Sequence, residues 1–247
     1  MEKIRLQKFI SECGLMSRRA AEAEITKGNI TVNGTIATLG DKVDPETDVV
    51  MYKGSTVQYK NSGDTTRRST YIILNKPIGY VTTMSDEQGR KTVRDLLSDV
   101  GERVYPVGRL DMYSDGLLIC TNDGELTNKI THPSHSIAKK YLATLTSHLT
   151  GEDILKLSVP FELDGYMLRP FEVELVEYTK TSAGDSTVVQ FTLHEGRNRE
   201  IRNICAHHGY KLTRLTRISV GEIKLDGLAS GKWRRLTEEE IEYLKSI

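Results

Sequence analysis

Cysteine is scarce in this chain of 247 residues: there are three, Cys13, Cys120 and Cys205, far apart in sequence. That spacing excludes a disulfide framework and the paired ligands of a structural zinc site. Long apolar runs are missing too; none approaches the roughly 20 residues that a membrane-crossing helix requires. The opening Met1-Glu2-Lys3-Ile4-Arg5 lacks the apolar centre of a secretory leader, and these absences fit a cytoplasmic protein of bacterial type. Neither charge is in excess: 34 Lys and Arg stand against 34 Asp and Glu. That balance argues against an indiscriminate polyanion binder and turns attention to local clusters. Internal repeats and low-complexity tracts are absent as well. What remains is an ordinary globular composition, enough for one sizeable domain or a large one with a small one.

Residues 1–60 read as a small unit. Ile4, Leu6, Phe9, Ile10 and Cys13 recur at helical spacing, with Gly14 as a stop. Ser17 is a natural N-cap for a second helix that runs to Lys27 and ends at Gly28. Between Ile30–Val32 and Thr35–Ala37, Asn33-Gly34 supplies the two positive φ angles of a type I′ hairpin. A short strand near Val49–Tyr52 completes a small sheet. Residues 61–69 are polar and aperiodic and read as a linker. From 70 to 247 strands dominate, predicted at Tyr71–Asn75, Tyr80–Thr83, Gly116–Thr121, Lys140–Thr146, Phe171–Tyr178 and Val188–His194. Helices are predicted at Val93–Leu97, Gly124–Thr131, Gly151–Leu157 and Arg199–His208. Strands without regular helical crossovers indicate an α+β domain on a mixed, mainly antiparallel sheet.

Helix N-termini favour acids, yet two predicted helices start on cations. Ser17 is followed by Arg18-Arg19, and the stretch Glu195–Arg202 crowds Arg197, Arg199 and Arg202 at a helix start. Free N–H groups with arginine forks make anion sites. One such pair is compatible with solvated surface; two in one chain point to phosphate. The second cluster continues through Lys211, Arg214 and Arg217, with Ile201, Ile204, Cys205 and His208 as the inner face of its helix. A basic stripe on a neutral chain implies a directed contact with a polyanion.

Asp111 follows Arg109 by two residues and precedes the apolar run 116–120. Spacing alone leaves two readings: a turn aspartate paired with Arg109 before a buried strand, or a carboxylate nucleophile or base kept charged by an arginine. No second carboxylate or histidine lies at metal-ligand spacing; Asp115 and Asp123 read as turn residues.

In "GRLDMYSDGLLICTNDG", Gly108–Gly124, the chain resembles the catalytic-aspartate motif of the bacterial ribosomal-RNA pseudouridine synthases of the RsuA type, the group that includes the RluB- and RluF-type enzymes. "LNKPIGYVTT", Leu74–Thr83, resembles the first motif of that family. "KKYLAT", Lys139–Thr144, resembles the segment with its active-site tyrosine. "EGRNREIRNICAHHGY", Glu195–Tyr210, resembles its basic motif, and "GKWRRLTEEE", Gly231–Glu240, its C-terminal signature. The first sixty residues resemble an S4 domain, a small RNA-binding module. The pieces occur in order over nearly the whole chain, and the ordered set is specific where each piece alone is not. Two positions depart: Ser114 stands where threonine is common, and Asn203 where a second arginine is common.

The resemblance implies an S4 domain at 1–60 and a catalytic domain at 70–247 that isomerises one uridine of folded rRNA to pseudouridine, without metal or cofactor. It implies Asp111 at the sugar, as nucleophile on C1′ or as base; Tyr141 stacked on the uracil; and Arg202 as the partner of the aspartate. Arg109 would hold the flipped nucleotide, with Arg197, Asn198 and Arg199 as further RNA contacts. Lys76 and Pro77 would shape the floor of the site, and Arg5, Lys8, Arg18 and Arg19 would give the S4 domain its affinity. The S4 stretch and "NICAHHGY" are most similar to the RluF type, which implies 23S rather than 16S rRNA. Expected partners are rRNA or a ribosome assembly intermediate, with no membrane and a monomeric enzyme. The rival reading is a non-catalytic S4-type RNA-binding or ribosome-assembly factor, which has no reason to keep Asp111, Tyr141 and Arg202 together. A glycoside or nucleoside hydrolase would need a second catalytic carboxylate.

Overall fold

The structure, a computed structural model, describes residues 3–59, 69–182 and 184–247. It divides into two compact units, Met1–Arg68 and Ser69–Ile247. Apart from Ser69, the expected linker lies outside the described residues. Among those described, no helix is long and apolar enough to cross a membrane.

In the first unit β1 (Ile4–Arg5) leads into α1 (Leu6–Glu12) and then α2 (Arg18–Thr26). The Ser17 hydroxyl caps α2 by accepting the Ala20 N–H at 3.1 Å. β2 (Ile30–Val32) and β3 (Thr35–Ile36) form the hairpin, with Asn33 and Gly34 at φ 50° and 83°. β4 (Lys42–Val43) follows, then β5 (Val50–Tyr52) and β6 (Ser55–Thr56), which extend the hairpin to a four-stranded sheet. Leu6, Phe9, Ile10, Ile25, Ile30 and Val50 share one core. Ile4 does not begin the helix as its spacing suggested. It pairs with Val43, and the Leu6 N–H goes to the Asp41 carbonyl at 2.9 Å, so an extended partner satisfies the backbone where a first helical turn would leave it open.

The second unit runs β7 (Tyr71–Lys76), α3 (Val93–Leu96), β8 (Tyr105–Pro106), β9 (Asp115–Thr121), α4 (Gly124–Thr131), β10 (Lys139–Leu145) and α5 (Gly151–Leu157). A small hairpin, β11 (Glu162–Leu163) with β12 (Tyr166–Met167), precedes β13 (Glu172–Thr181) and β14 (Gly184–Leu193). Then come α6 (Glu200–His207), β15 (Leu212–Val220), β16 (Ile223–Lys224), β17 (Trp233–Arg235) and α7 (Glu238–Ser246). The main sheet has the order β13-β14-β10-β15-β9-β7-β17, with β8 on β9 and β16 on β15. It is mixed and mainly antiparallel: β9 and β15 run parallel, in register at Thr216↔Asp115 and Arg217↔Gly116, and the other named pairs are antiparallel.

That short parallel seam joins two half-sheets, and side chains fasten it. Asp115 is not a turn residue; it opens β9, buried, and accepts from Thr216 Oγ1 at 2.6 Å and Arg214 Nη2 at 2.8 Å. Buried Arg217 donates from Nε to the Leu117 carbonyl at 2.7 Å. Of the expected RNA-facing stripe, Arg217 therefore serves the interior, and exposed Arg214 is paired with Asp115 at the seam. Gly116, at φ 107°, has the Arg217 backbone where a side chain would begin.

Tyr80–Thr83, predicted as a strand, contributes one isolated bridge, Val81↔Thr92. Its polar groups bind the loop before β9 instead. The Thr82 hydroxyl donates to the Leu110 carbonyl at 2.6 Å, and the Gly79 N–H to the Met112 carbonyl at 2.8 Å.

Candidate active site

The loop 107–114 carries Asp111 between β8 and β9 and is fixed from below by Lys76, the last residue of β7. Lys76 is fully buried, and its Nζ donates to the carbonyls of Pro77 (3.0 Å), Asp111 (3.1 Å) and Ser114 (2.8 Å). An ammonium has three donors, and here each has a carbonyl. Burial pulls the Lys76 pKa down to about 8, with the negative charges of Asp115 and Asp111 opposing.

From the other side Arg202, on α6, donates through Nη2 to the Tyr113 carbonyl at 2.7 Å and to Ser114 Oγ at 3.2 Å. Ser114, one of the two departures, thus keeps the hydroxyl that this arginine uses. Arg202 Nε is buried without a hydrogen-bond partner and lies 4.0 Å from Asp111 Oδ2; Arg199 Nη1 lies 3.9 Å from the same oxygen. Burial lowers the Arg202 pKa and Arg199 lowers it further, while Asp111 opposes both. The ion-pair partners of Asp111 are Arg199 and Arg202, so the reading that paired it with Arg109 does not hold.

Asp111 opens onto a cleft of about 580 Å³ whose lining includes Arg109, Tyr141, Arg197, Asn198 and Arg199. Tyr141 lies in β10, paired with Phe191 of β14 and Arg217 of β15. Arg202, Lys76 and Pro77 are not in the lining; they support Asp111 from behind. Arg5, Lys8, Arg18 and Arg19 belong to the other unit. There Arg5, Arg18 and Arg19 are exposed, and Lys8 pairs with Glu12 at 3.6 Å.

Helix α2 does begin on Arg18-Arg19 with no acid in its first turn. Helix α6 does not begin on cations: Arg199 is its N-cap, left-handed at φ 53°, and the first helical residue is Glu200. Glu200 is 4% exposed, and its Oε2 accepts the Arg197 N–H at 2.9 Å, which folds the arginine-bearing loop back onto the helix. Burial pushes Glu200 up to about 7; the Arg197 N–H opposes this and neighbouring Glu195 adds to it. Glu200, Lys139, Tyr166 and Arg169 also line the cleft, and sequence reasoning missed them; Arg217, expected in the basic stripe, lines it too. An acid at a first helical turn is a signal for Glu200 in retrospect; the two-residue strand bearing Tyr166 offers none.

The site therefore presents one carboxylate faced by two guanidinium groups, an aromatic ring in the same cleft, and cations along the walls. It can hold a flipped nucleotide by its phosphates and offer an oxygen nucleophile or base to the sugar. Asp115 and Asp123 supply no second catalytic carboxylate. The first is bonded within the seam, and the second caps α4 by accepting the Glu125 and Leu126 N–H groups, each at 3.0 Å.

Residues 70–207 match the family model described as RNA pseudouridylate synthase, and residues 4–50 match the S4 domain. An uncharacterized RNA pseudouridine synthase of Aquifex aeolicus is 41% identical over 99% of this chain and 94% of its own length. The ribosomal large subunit pseudouridine synthase B of Bacillus subtilis is 35% identical over 98% and 96% of the two chains. The dual-specificity RNA pseudouridine synthase RluF of Escherichia coli is 37% identical over 96% of this chain and 77% of that one. A crystal structure of a pseudouridylate synthase superposes with a TM-score of 0.67 at 28% identity, covering 98% of this chain and 99% of that one. The chain belongs to the RNA pseudouridylate synthase family, an S4 domain preceding the catalytic domain.

Proposed function

We propose that the protein converts one uridine of 23S rRNA to pseudouridine, with Asp111 as the essential group. The observation that carries this is the Asp111 carboxylate, set between Arg199 and Arg202 at 3.9 and 4.0 Å and opening on the cleft that holds Tyr141. The reaction breaks the bond between N1 of uracil and C1′ and forms one between C5 and C1′. The proton lost from C5 is matched by one gained at N1, so the change is redox-neutral. Asp111 acts on the sugar, as nucleophile at C1′ or as base. Tyr141 stacks on the freed uracil, and its hydroxyl serves the proton transfer at C5. Arg109 holds the extruded nucleotide, Arg197, Asn198 and Arg199 are further RNA contacts, and Arg202 with Lys76 keeps the aspartate in place.

The S4 unit supplies affinity through Arg5, Lys8, Arg18 and Arg19, of which Arg18 and Arg19 open a helix with no competing acid. The large-subunit name of the Bacillus subtilis relative favours 23S rRNA. The substrate is rRNA or an assembly intermediate in the cytoplasm, met by a monomer. The test is a pseudouridine map of rRNA from a strain lacking the gene, complemented by wild type or by Asp111→Asn. One 23S position is expected to be modified with wild type and unmodified with the variant. Modification restored by Asp111→Asn refutes the role of Asp111, and a wild-type-dependent position in 16S rRNA refutes the target.

A further inference from the structure

The cleft runs on from Asp111 and Tyr141 to a second feature, Tyr166 and Arg197. The hairpin that delivers Tyr166 turns on Asp164 and Gly165, at φ 52° and 77°, the paired positive angles of a tight turn. The Arg197 Cζ lies 3.7 Å from the centroid of the Tyr166 ring, in van der Waals contact with its face.

Each half of this stack is held separately. The Tyr166 hydroxyl donates to Glu195 Oε2 at 3.1 Å, and Glu195 Oε1 also accepts the Arg169 N–H at 3.0 Å. The Arg197 main chain is tied to buried Glu200. Arg197 itself is exposed, and among the described residues its guanidinium makes no ion pair. It is thus a planar cation fixed on one face, open on the other, and uncommitted to a carboxylate, although Glu195 and Glu200 are both close by. A guanidinium needed for charge neutralisation alone would not be laid flat on a ring. One ordered in advance has little side-chain freedom left to lose on binding. The chemistry that fits its open face is a nucleobase, which stacks on guanidinium planes and carries the phosphate that the charge attracts.

We propose that the Arg197 guanidinium, backed by Tyr166, is a stacking platform for a base next to the target uridine. The proposal rests on the reading that the Asp111 end of the cleft takes that uridine.

The test uses short RNA stem-loops spanning the position that the rRNA maps identify, each with one flanking nucleotide made abasic. Binding and single-turnover conversion are measured separately for the full-length protein. For wild type, one abasic position is expected to weaken binding about tenfold, the scale of one stacked base. Arg197→Lys keeps the charge and loses the plane. It should weaken binding of intact RNA by a similar factor and be indifferent to that abasic position. Tyr166→Phe should keep the sensitivity, and Tyr166→Leu should lose it.

The platform is refuted if Arg197→Lys binds as wild type does, or if it loses the same factor on every RNA, which is a phosphate contact only. It is equally refuted if no abasic position matters to wild type. Conversion by wild type is the separate readout: base-specific binding without conversion refutes the assigned reaction and leaves the platform standing.

Discussion

Lys76→Met removes the three-way tie beneath the proposed catalytic loop at little change in volume. The variant strands the carbonyls of Pro77 and Ser114, now reached at 3.0 and 2.8 Å, and leaves that of Asp111, now reached at 3.1 Å, with the Ser114 N–H alone. A buried acceptor without a donor costs about 1–3 kcal/mol. Against this, the charged group no longer has to be buried. The fall of the Lys76 pKa from 10.5 to about 8 sets that relief near 3 kcal/mol. The net loss of stability is about 1 kcal/mol, readable as a lower urea midpoint at constant slope. Activity should suffer more. With the ties to Pro77 and Ser114 gone and Asp111 held at its carbonyl by the Ser114 N–H alone, the loop drifts, and a displacement of about 1 Å at a reacting group costs about 100-fold in rate.

The pH dependence sharpens this test. Above about 8 Lys76 loses its proton, and a neutral amine has two N–H donors for three carbonyls. Single-turnover rate should therefore fall through pH 8 in wild type and not in Lys76→Met. Stability should move the other way. The native state releases this proton before the unfolded chain does, so folding becomes more favourable from pH 8 towards 10.5. A folded Lys76→Met protein that converts RNA within threefold of the wild-type rate would refute the reasoning.

Arg202→Ala and Arg18→Ala should fail differently. The first removes the brace on Tyr113 and Ser114 and one of the two charges facing Asp111, so it lowers the saturated single-turnover rate. The second lowers affinity and makes the salt dependence of binding about one unit shallower, with the saturated rate preserved; an exchange of these phenotypes sinks the assignment. Glu200 holds a proton to about 7 against an ordinary 4.5. Because the native state keeps a proton that the unfolded chain has released, stability should fall between pH 4.5 and 7 by at most about 3 kcal/mol. Glu200→Gln should flatten that part of the urea-midpoint profile; an unchanged slope would count against the buried acid. Gly116→Ala should cost at least about 3 kcal/mol, because its methyl group meets the Arg217 backbone at a position with positive φ. A thermal midpoint within a degree of wild type would show that the seam yields.

Local signals sufficed where the chain satisfies its own backbone. Helices α4 and α5 have the predicted bounds, because Asp123 and Thr150 cap them within the same stretch of sequence. Strands β7 and β9 were visible as unbroken apolar runs, since both are buried on either face. Strand β15 was not, because Arg214 and Arg217 interrupt its pattern. What makes Arg217 tolerable inside is the Leu117 carbonyl, and what holds exposed Arg214 to the seam is Asp115, each about a hundred residues away in sequence. The same separation hid the true neighbours of Asp111. Spacing offered Arg109, and only the ordered motifs pointed to Arg202, which the fold brings to 4.0 Å. Tyr166 has no local signature of function and Glu200 only its place in a first helical turn; burial singles out Glu200 and a cross-loop contact Tyr166.

The parallel seam also sets a timetable for synthesis. The half-sheet of β7, β8 and β9 leaves the ribosome with the N-terminal end of β9 unmatched on one side, and the residue that bonds Asp115 there, Thr216, is made 101 residues later. At elongation rates of about 5–20 residues per second that is a wait of about 5–20 s. For most of this interval Asp111 has been made and Arg199 and Arg202 have not, and the strand that completes the sheet comes after them. Long-range pairings of this kind are slow to form and leave an edge exposed meanwhile. A nascent chain therefore carries Asp111 without its arginine partners through most of this interval, and chaperone demand should concentrate on the unpaired end of β9 until β15 arrives.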